Sequence, residues 1–224
     1  MTENTTTQSI NIQSIKAKAI AVITNPVEFF RSMHTTGGFK DPLIFMVAIS
    51  LVTGVVRAIF TIFSSFGIAV SLLVLTPILT AIFGFVGAAI AYVIWKLMGS
   101  SHNYETAYRC VAYASAIAPI TTLISFVPYL GGVAATAWGF YLIYVASVET
   151  HRIPIQKAKL VWGILFLVIA LLGISAETGN RRMHAKFSEL QEQMNEEDMT
   201  PEQAGQFMGE FLKGLEKGAQ TNDR

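Results

Sequence analysis

The sequence predicts an all-α, multi-pass integral membrane protein with five transmembrane helices and amphipathic helices at both ends. Three observations carry this. Of 224 residues, 52% are hydrophobic and only 14% are charged, and the apolar residues gather in five runs of membrane-spanning length. The turns at 64–67 and 128–132, between those runs, hold no charge. The charge that remains is unevenly placed: residues 1–176 hold ten Lys or Arg against five Asp or Glu, whereas residues 177–224 hold six against ten. Three segments follow, namely a cytoplasmic amphipathic lead-in at 1–40, a five-span membrane domain at 41–176 and an acidic amphipathic helical tail at 177–224.

The lead-in repeats Ile12, Ile15, Ala19 and Val22 at helical spacing beside Lys16 and Lys18, the pattern of a helix lying on a membrane surface. Its polar beginning, MTENTTTQS, is not that of a cleavable signal peptide, so the first span is expected to act as the insertion signal. Asn25-Pro26-Val27-Glu28 starts a second short helix, with Asn25 as cap, Pro26 in the first position and Glu28 favourably placed in the helix dipole. Gly37-Gly38 releases it, and Asp41-Pro42 repeats the start signal for the first span, about Pro42 to Phe63.

The second span, about Ile68 to Met98, covers 31 residues, too many for a perpendicular helix, so tilt or a bend near Pro77 is expected. Ala81, Gly84, Gly87, Ala88 and Ala91 give it a face of small residues, which lets helices approach closely in lipid. The third span is expected to run uncharged from Cys110 to Val127 as the centre of the bundle, about 27 Å at roughly 1.5 Å per residue. The fourth covers about Val133 to Val148. The fifth covers about Ala158 to Ala176, with Trp162 as a candidate interfacial anchor.

Counting Lys and Arg in the connections puts the N-terminus in the cytoplasm and the C-terminus outside. In the tail, Met183, Phe187, Leu190 and Met194 recur at spacings of 4, 3 and 4, an apolar seam on a polar helix. Thr200-Pro201-Glu202-Gln203 then forms a capping box ahead of a second seam that includes Phe207, Phe211 and Leu215. These seams suit a hairpin, a membrane surface or another subunit.

Chemistry has few footholds. Arg57, inside the first span, is a candidate intramembrane charge, either functional or snorkelling to the headgroups. Glu105 and Arg109, one turn apart, share the mouth of the third span with Glu149 and His151, which close the fourth. This polar cluster reads as an interhelical clasp, with an ion-handling mouth as the sharper alternative. Metal binding by His102, Glu105, Glu149 and His151 lacks any paired ligand spacing. No catalytic pair, Walker loop or dinucleotide fingerprint is present, so no enzyme activity, cofactor or metal is expected. The single cysteine, Cys110, excludes an internal disulfide, and no concentrated basic face points to nucleic acid.

An ordered series of short motifs resembles a known family. Asn25-Pro26-x-x-Phe29-Phe30, Gly37-Gly38 and Pro42 are similar to the opening of the Yip domain, the Ypt/Rab-GTPase-interacting membrane proteins, in its prokaryotic form. Tyr108-Arg109-x-x-Ala112-Tyr113-Ala114 with Pro119, Pro128 and Gly131-Gly132 resembles its central block, and Trp138-Gly139 with Glu149-x-His151-x-Ile153-x-x-x-Lys157-Ala158 its closing block. The resemblance covers about residues 20–175 and implies five spans and a cytosolic N-terminus. Eukaryotic members are associated with vesicle traffic and Rab binding. This chain departs from them in its short N-terminal region, and in carrying Lys40-Asp41-Pro42 where they have an Asp-Leu-aromatic-Gly-Pro motif.

Two functions remain in view. One is a non-enzymatic scaffold that organises a membrane complex or bilayer shape, as a homo-oligomer or with other membrane proteins, in the bacterial cytoplasmic (inner) membrane. The alternative is a small transporter or channel for an ion or lipid.

Overall fold

A computed structural model of the chain describes residues 11–125 and 127–196 together with Gly205 and Gly209. The described residues are mostly helical, with no strand among them. Two compact units are distinguished, Met1–Ile174 and Ser175–Arg224. Five helical stretches among the described residues are long and apolar enough to cross a membrane: Lys40–Thr61, Phe66–Leu97, Tyr104–Ile124, Leu130–Glu149 and Ile155–Ser188.

Two short helices lead in. α1 (Ile12–Thr24) is capped by Asn11, whose side chain accepts from the Ser14 N–H, and α2 (Pro26–Ser32) by Asn25, which accepts from the Glu28 N–H. α1 does more than lie on a surface: Val22 is fully buried and joins the bundle core, as does Phe30 of α2. Ile12 and Ile20 stay exposed.

α3 (Lys40–Thr61) begins earlier than the sequence predicts. Phe39 is its flanking residue, without a side-chain cap, and Asp41 falls in the first turn. Pro42 costs nothing there, because the first N–H groups of a helix have no partner within it. The Phe39 ring instead packs against Phe85, Tyr104 and Tyr108. α4 (Phe66–Leu97) runs as one helix through Pro77 and, among the described residues, pairs most extensively with α3. Glycine sets that closeness on both sides. A Cβ on Gly54 would lie 3.3 Å from the Leu72 carbonyl oxygen, and one on Gly84 only 2.5 Å from the Met46 Sδ.

The third span is interrupted, contrary to the continuous helix expected. It comprises α5 (Tyr104–Ala114), one 3-10 turn at Ser115–Ile117 and α6 (Ala118–Ile124). Pro119 explains the break, since it lacks an N–H and its ring clashes with the carbonyl four residues back, that of Ser115. Its central position is as expected: Thr106 to Cys110 and Ala112 to Ala114 are all buried, and the span packs against α1, α3, α4 and α7. α7 (Leu130–Glu149) follows a turn in which Tyr129 takes a left-handed conformation, φ 59°. Gly131 brings α7 against the end of α6, where a Cβ would collide with the Ile124 carbonyl.

α8 covers Ile155–Glu196, and the boundary between the two units falls within it. No proline interrupts it, and Glu177 pairs with Arg181 across one turn at 2.8 Å. Within the first unit, Ala158 and Trp162 are its buried residues. Within the second, Met183 and Phe187 are each 40% exposed.

Candidate functional site

Side chains with chemical capability converge where α2, the start of α5 and the end of α7 meet. Asn103 starts α5 by accepting from the Thr106 N–H at 3.1 Å, so the next turn presents Glu105 and Arg109 toward the loop at 34–38. Arg109 is 6% exposed. Its Nε donates to the His34 carbonyl at 2.8 Å and its Nη1 to the Gly38 carbonyl at 2.9 Å. Glu105 Oε1 accepts from the Gly38 N–H at 2.7 Å and lies 3.9 Å from Arg109 Nη1. Gly37 and Gly38 have φ of 121° and 80°, a region open to glycine, which lets the loop turn both its polar atoms onto the pair. Thr106 adds a bond to the Thr35 carbonyl. The Glu105–Arg109 pair thus holds a loop.

Glu149 and His151 engage other partners. Glu149 Oε2 accepts from Arg31 Nε at 2.9 Å, and that hydrogen bond, then the charge of Glu149, raises the Arg31 guanidinium above its ordinary pKa. Beside it, Thr150 donates to the Phe30 carbonyl at 2.8 Å, so α2 is tied to the end of α7 twice. His151 is buried one step further in. Its ring stacks on Trp95 with centroids 4.0 Å apart, its Nδ1 meets Ser100 Oγ at 2.7 Å and its Nε2 lies 3.8 Å from Cys110 Sγ. Burial first, then the nearby His102 and Lys96, lowers its pKa to about 3; the imidazole is neutral at physiological pH. The four residues expected as one cluster therefore occupy three neighbouring stations.

Behind His151 lies a node absent from the sequence reading. Ser147 Oγ accepts from Trp95 Nε1 at 2.6 Å and from Trp162 Nε1 at 2.7 Å, and donates to the Ile143 carbonyl at 2.7 Å. One hydroxyl, with its donor and both acceptor positions filled, joins α4, α7 and α8. Nothing local marks Ser147, because Trp95 is 52 residues away. Nor does anything local point Arg31 to Glu149, 118 residues away; the nearby carboxylate is Glu28, three residues before it.

The other singled-out residues are placed as follows. Arg57 is exposed, one turn before the end of α3. Of the small-residue face, Ala88 and Ala91 are buried and Gly84 lies under Met46, whereas a Cβ on Gly87 would meet nothing within 4 Å. Gly87 lines an apolar crevice of about 490 Å³ between α4, α5, α7 and α8. Tyr108 is fully buried, stacked on Phe85 at 4.3 Å, and its hydroxyl has no hydrogen-bond partner among the described residues. In the tail seams, the side chains of Leu190 and Met194, and all of Phe207, Phe211 and Leu215, lie outside the described residues. Among the described residues, no three His, Cys, Asp or Glu side chains are grouped to hold a metal ion.

Compared with known proteins, residues 20–176 match the family model described as the Yip1 domain. No curated protein and no solved structure matches the chain.

Proposed function

The chain belongs to the Yip1 domain family, with five helices apolar enough to span a bilayer, and on that premise we propose that it is a non-enzymatic organiser of a membrane complex or of bilayer shape. The observation that supports this reading is how the polar residues at one end of the bundle are occupied. Glu105 and Arg109 hold the 34–38 loop, Glu149 holds Arg31 and His151 holds Ser100. Groups with internal partners fix a shape; exchanging them with a passing solute would break these hydrogen bonds, of which the buried His151–Ser100 bond alone costs about 1–3 kcal/mol to leave unmade. What the protein then offers is its helix faces, α3 and α4 above all, whose exposed Leu, Ile, Val and Phe residues suit lipid or another span.

In this reading the protein sits in the bacterial cytoplasmic membrane with its N-terminus inside and its C-terminus outside, as a homo-oligomer or with other membrane proteins. Cross-linking in native membrane vesicles, followed by mass determination, tests it: discrete oligomers or a defined partner are expected, and a strictly solitary chain sinks it. Liposome flux measurements separate it from the transporter alternative. Flux that falls in Glu105→Gln or Arg57→Ala would install transport in its place. Reporter fusions at the two ends are expected to report opposite compartments.

A further inference from the structure

α7 and α8 face each other across aromatic side chains, and a slot of about 250 Å³ opens beside that contact. Phe140 forms one wall, with its ring 6.1 Å from that of Trp162 and 6.0 Å from that of Phe166. Trp162 is itself held by the bond to Ser147, which fixes its ring in that wall. Tyr141 and Tyr144 of α7 also line the slot, and Ala137 and Gly163 keep it open by their small size. A Cβ on Gly163 would meet nothing within 4 Å.

Lys159 closes one end. It stands one turn into α8 and is exposed, at the depth where a span meets the headgroups. Its neighbour Lys157 donates to the Met98 carbonyl at 2.8 Å, whereas no hydrogen bond or ion pair ties the Lys159 ammonium among the described residues. From Lys159 to Phe166 the slot runs seven residues inward, about 10 Å along the helix. A cation at headgroup depth leading directly into an apolar, aromatic-walled slot is complementary to one kind of molecule in a bilayer, a phosphate joined to an acyl chain.

We propose that this slot holds one glycerophospholipid of the surrounding membrane, with its phosphate on Lys159 and the upper part of one acyl chain between Phe140, Tyr141, Trp162 and Phe166. The site does not depend on the organiser reading and would serve a transporter equally. It ties α8 to α7 where side chains rather than backbones meet, so the bound lipid acts as packing material for the fifth span.

The test uses the full chain, purified in mild detergent, stripped of lipid and incubated with phosphatidylglycerol or phosphatidylcholine, then read by native mass spectrometry. Wild type is expected to retain one phosphatidylglycerol per chain. Gly163→Leu, whose Cβ meets no protein atom within 4 Å, puts its side chain into the slot and is expected to weaken retention at least tenfold. Gly87→Leu, which enters the separate larger crevice, is expected to leave it unchanged. Lys159→Gln, an exposed change that the fold tolerates, is expected to weaken phosphatidylglycerol about tenfold and phosphatidylcholine less. Three results would overturn the proposal: no lipid retained by wild type, full retention in Gly163→Leu, or phosphatidylglycerol binding indifferent to Lys159→Gln. A lipid-free dimer that Gly163→Leu disrupts would also overturn it, by assigning the slot to a second copy of the chain.

Discussion

Gly131 and Gly132 are neighbours in the first turn of α7, and comparing the same substitution at each isolates what close helix approach is worth. A Cβ at Gly131 would collide with the carbonyl oxygen of Ile124 and lie 2.8 Å from the Ile124 carbonyl carbon and the Ser125 Cα. These are backbone atoms, which cannot rotate away, so α6 and α7 must separate. At Gly132 a Cβ meets nothing within 4 Å. Alanine improves helix propensity by about 1 kcal/mol at either position, and that gain cancels in the comparison. The remainder is the overpacking cost, about 1–3 kcal/mol. For a chain of this size each kcal/mol moves the melting temperature by about 2–4 °C, so Gly131→Ala is expected to melt about 2–12 °C below Gly132→Ala. Tryptophan fluorescence of both proteins, heated in the same detergent, measures this. Equal melting temperatures, or a more stable Gly131→Ala, would refute the packing account of the α6–α7 turn.

Three further outcomes are expected. Gly84→Leu drives a side chain into Met46, itself enclosed with Ala88, Tyr108 and Ala112, and should lower the melting temperature well below that of Gly87→Leu; similar values would remove Gly84 from the contact. His151 should make stability fall with acid: its folded pKa of about 3 lies below the ordinary 6.5, so only the unfolded chain binds the proton between those values. Stability is then complete above pH 6.5 and declines as pH falls from 6.5 toward 3, by about 2 kcal/mol at pH 5. Wild type should therefore lose more melting temperature than His151→Asn between pH 7.5 and 5, and parallel profiles would contradict this. Arg109→Ala leaves the His34 and Gly38 carbonyls without their donor, at a cost of about 1–3 kcal/mol, and should speed hydrogen exchange at the Gly38 N–H; unchanged exchange would deny the clasp.

Much of the fold is legible because it is written in short range. Asn25-Pro26-x-Glu28 starts a helix through contacts within one turn, and Ser65 and Asn103 do the same for α4 and α5. Span number follows from the length of apolar runs, since a backbone in lipid must satisfy its own hydrogen bonds. The misreadings arise where a local rule met a second one. Apolar content argued for an unbroken third span, and Pro119 broke it; Asp41-Pro42 had the form of a start signal, and Phe39 began the helix earlier by packing its ring on three aromatics.

The polar site divides in the same way. Glu105 and Arg109 stand four residues apart, so the sequence could place them together. It could not say that they would grip Gly38, 67 residues from Glu105, or that Glu149 would choose Arg31 across 118. The sequence by itself determined which segments enter the bilayer and where most helices begin, because those choices depend on apolar length and on bonds within a single turn. Only the tertiary structure decided which side chains meet: the double acceptance of Ser147, the burial of His151 and the slot beneath Lys159 exist because packing sets the rotation of each helix about its own axis, and no residue carries that angle in its own neighbourhood.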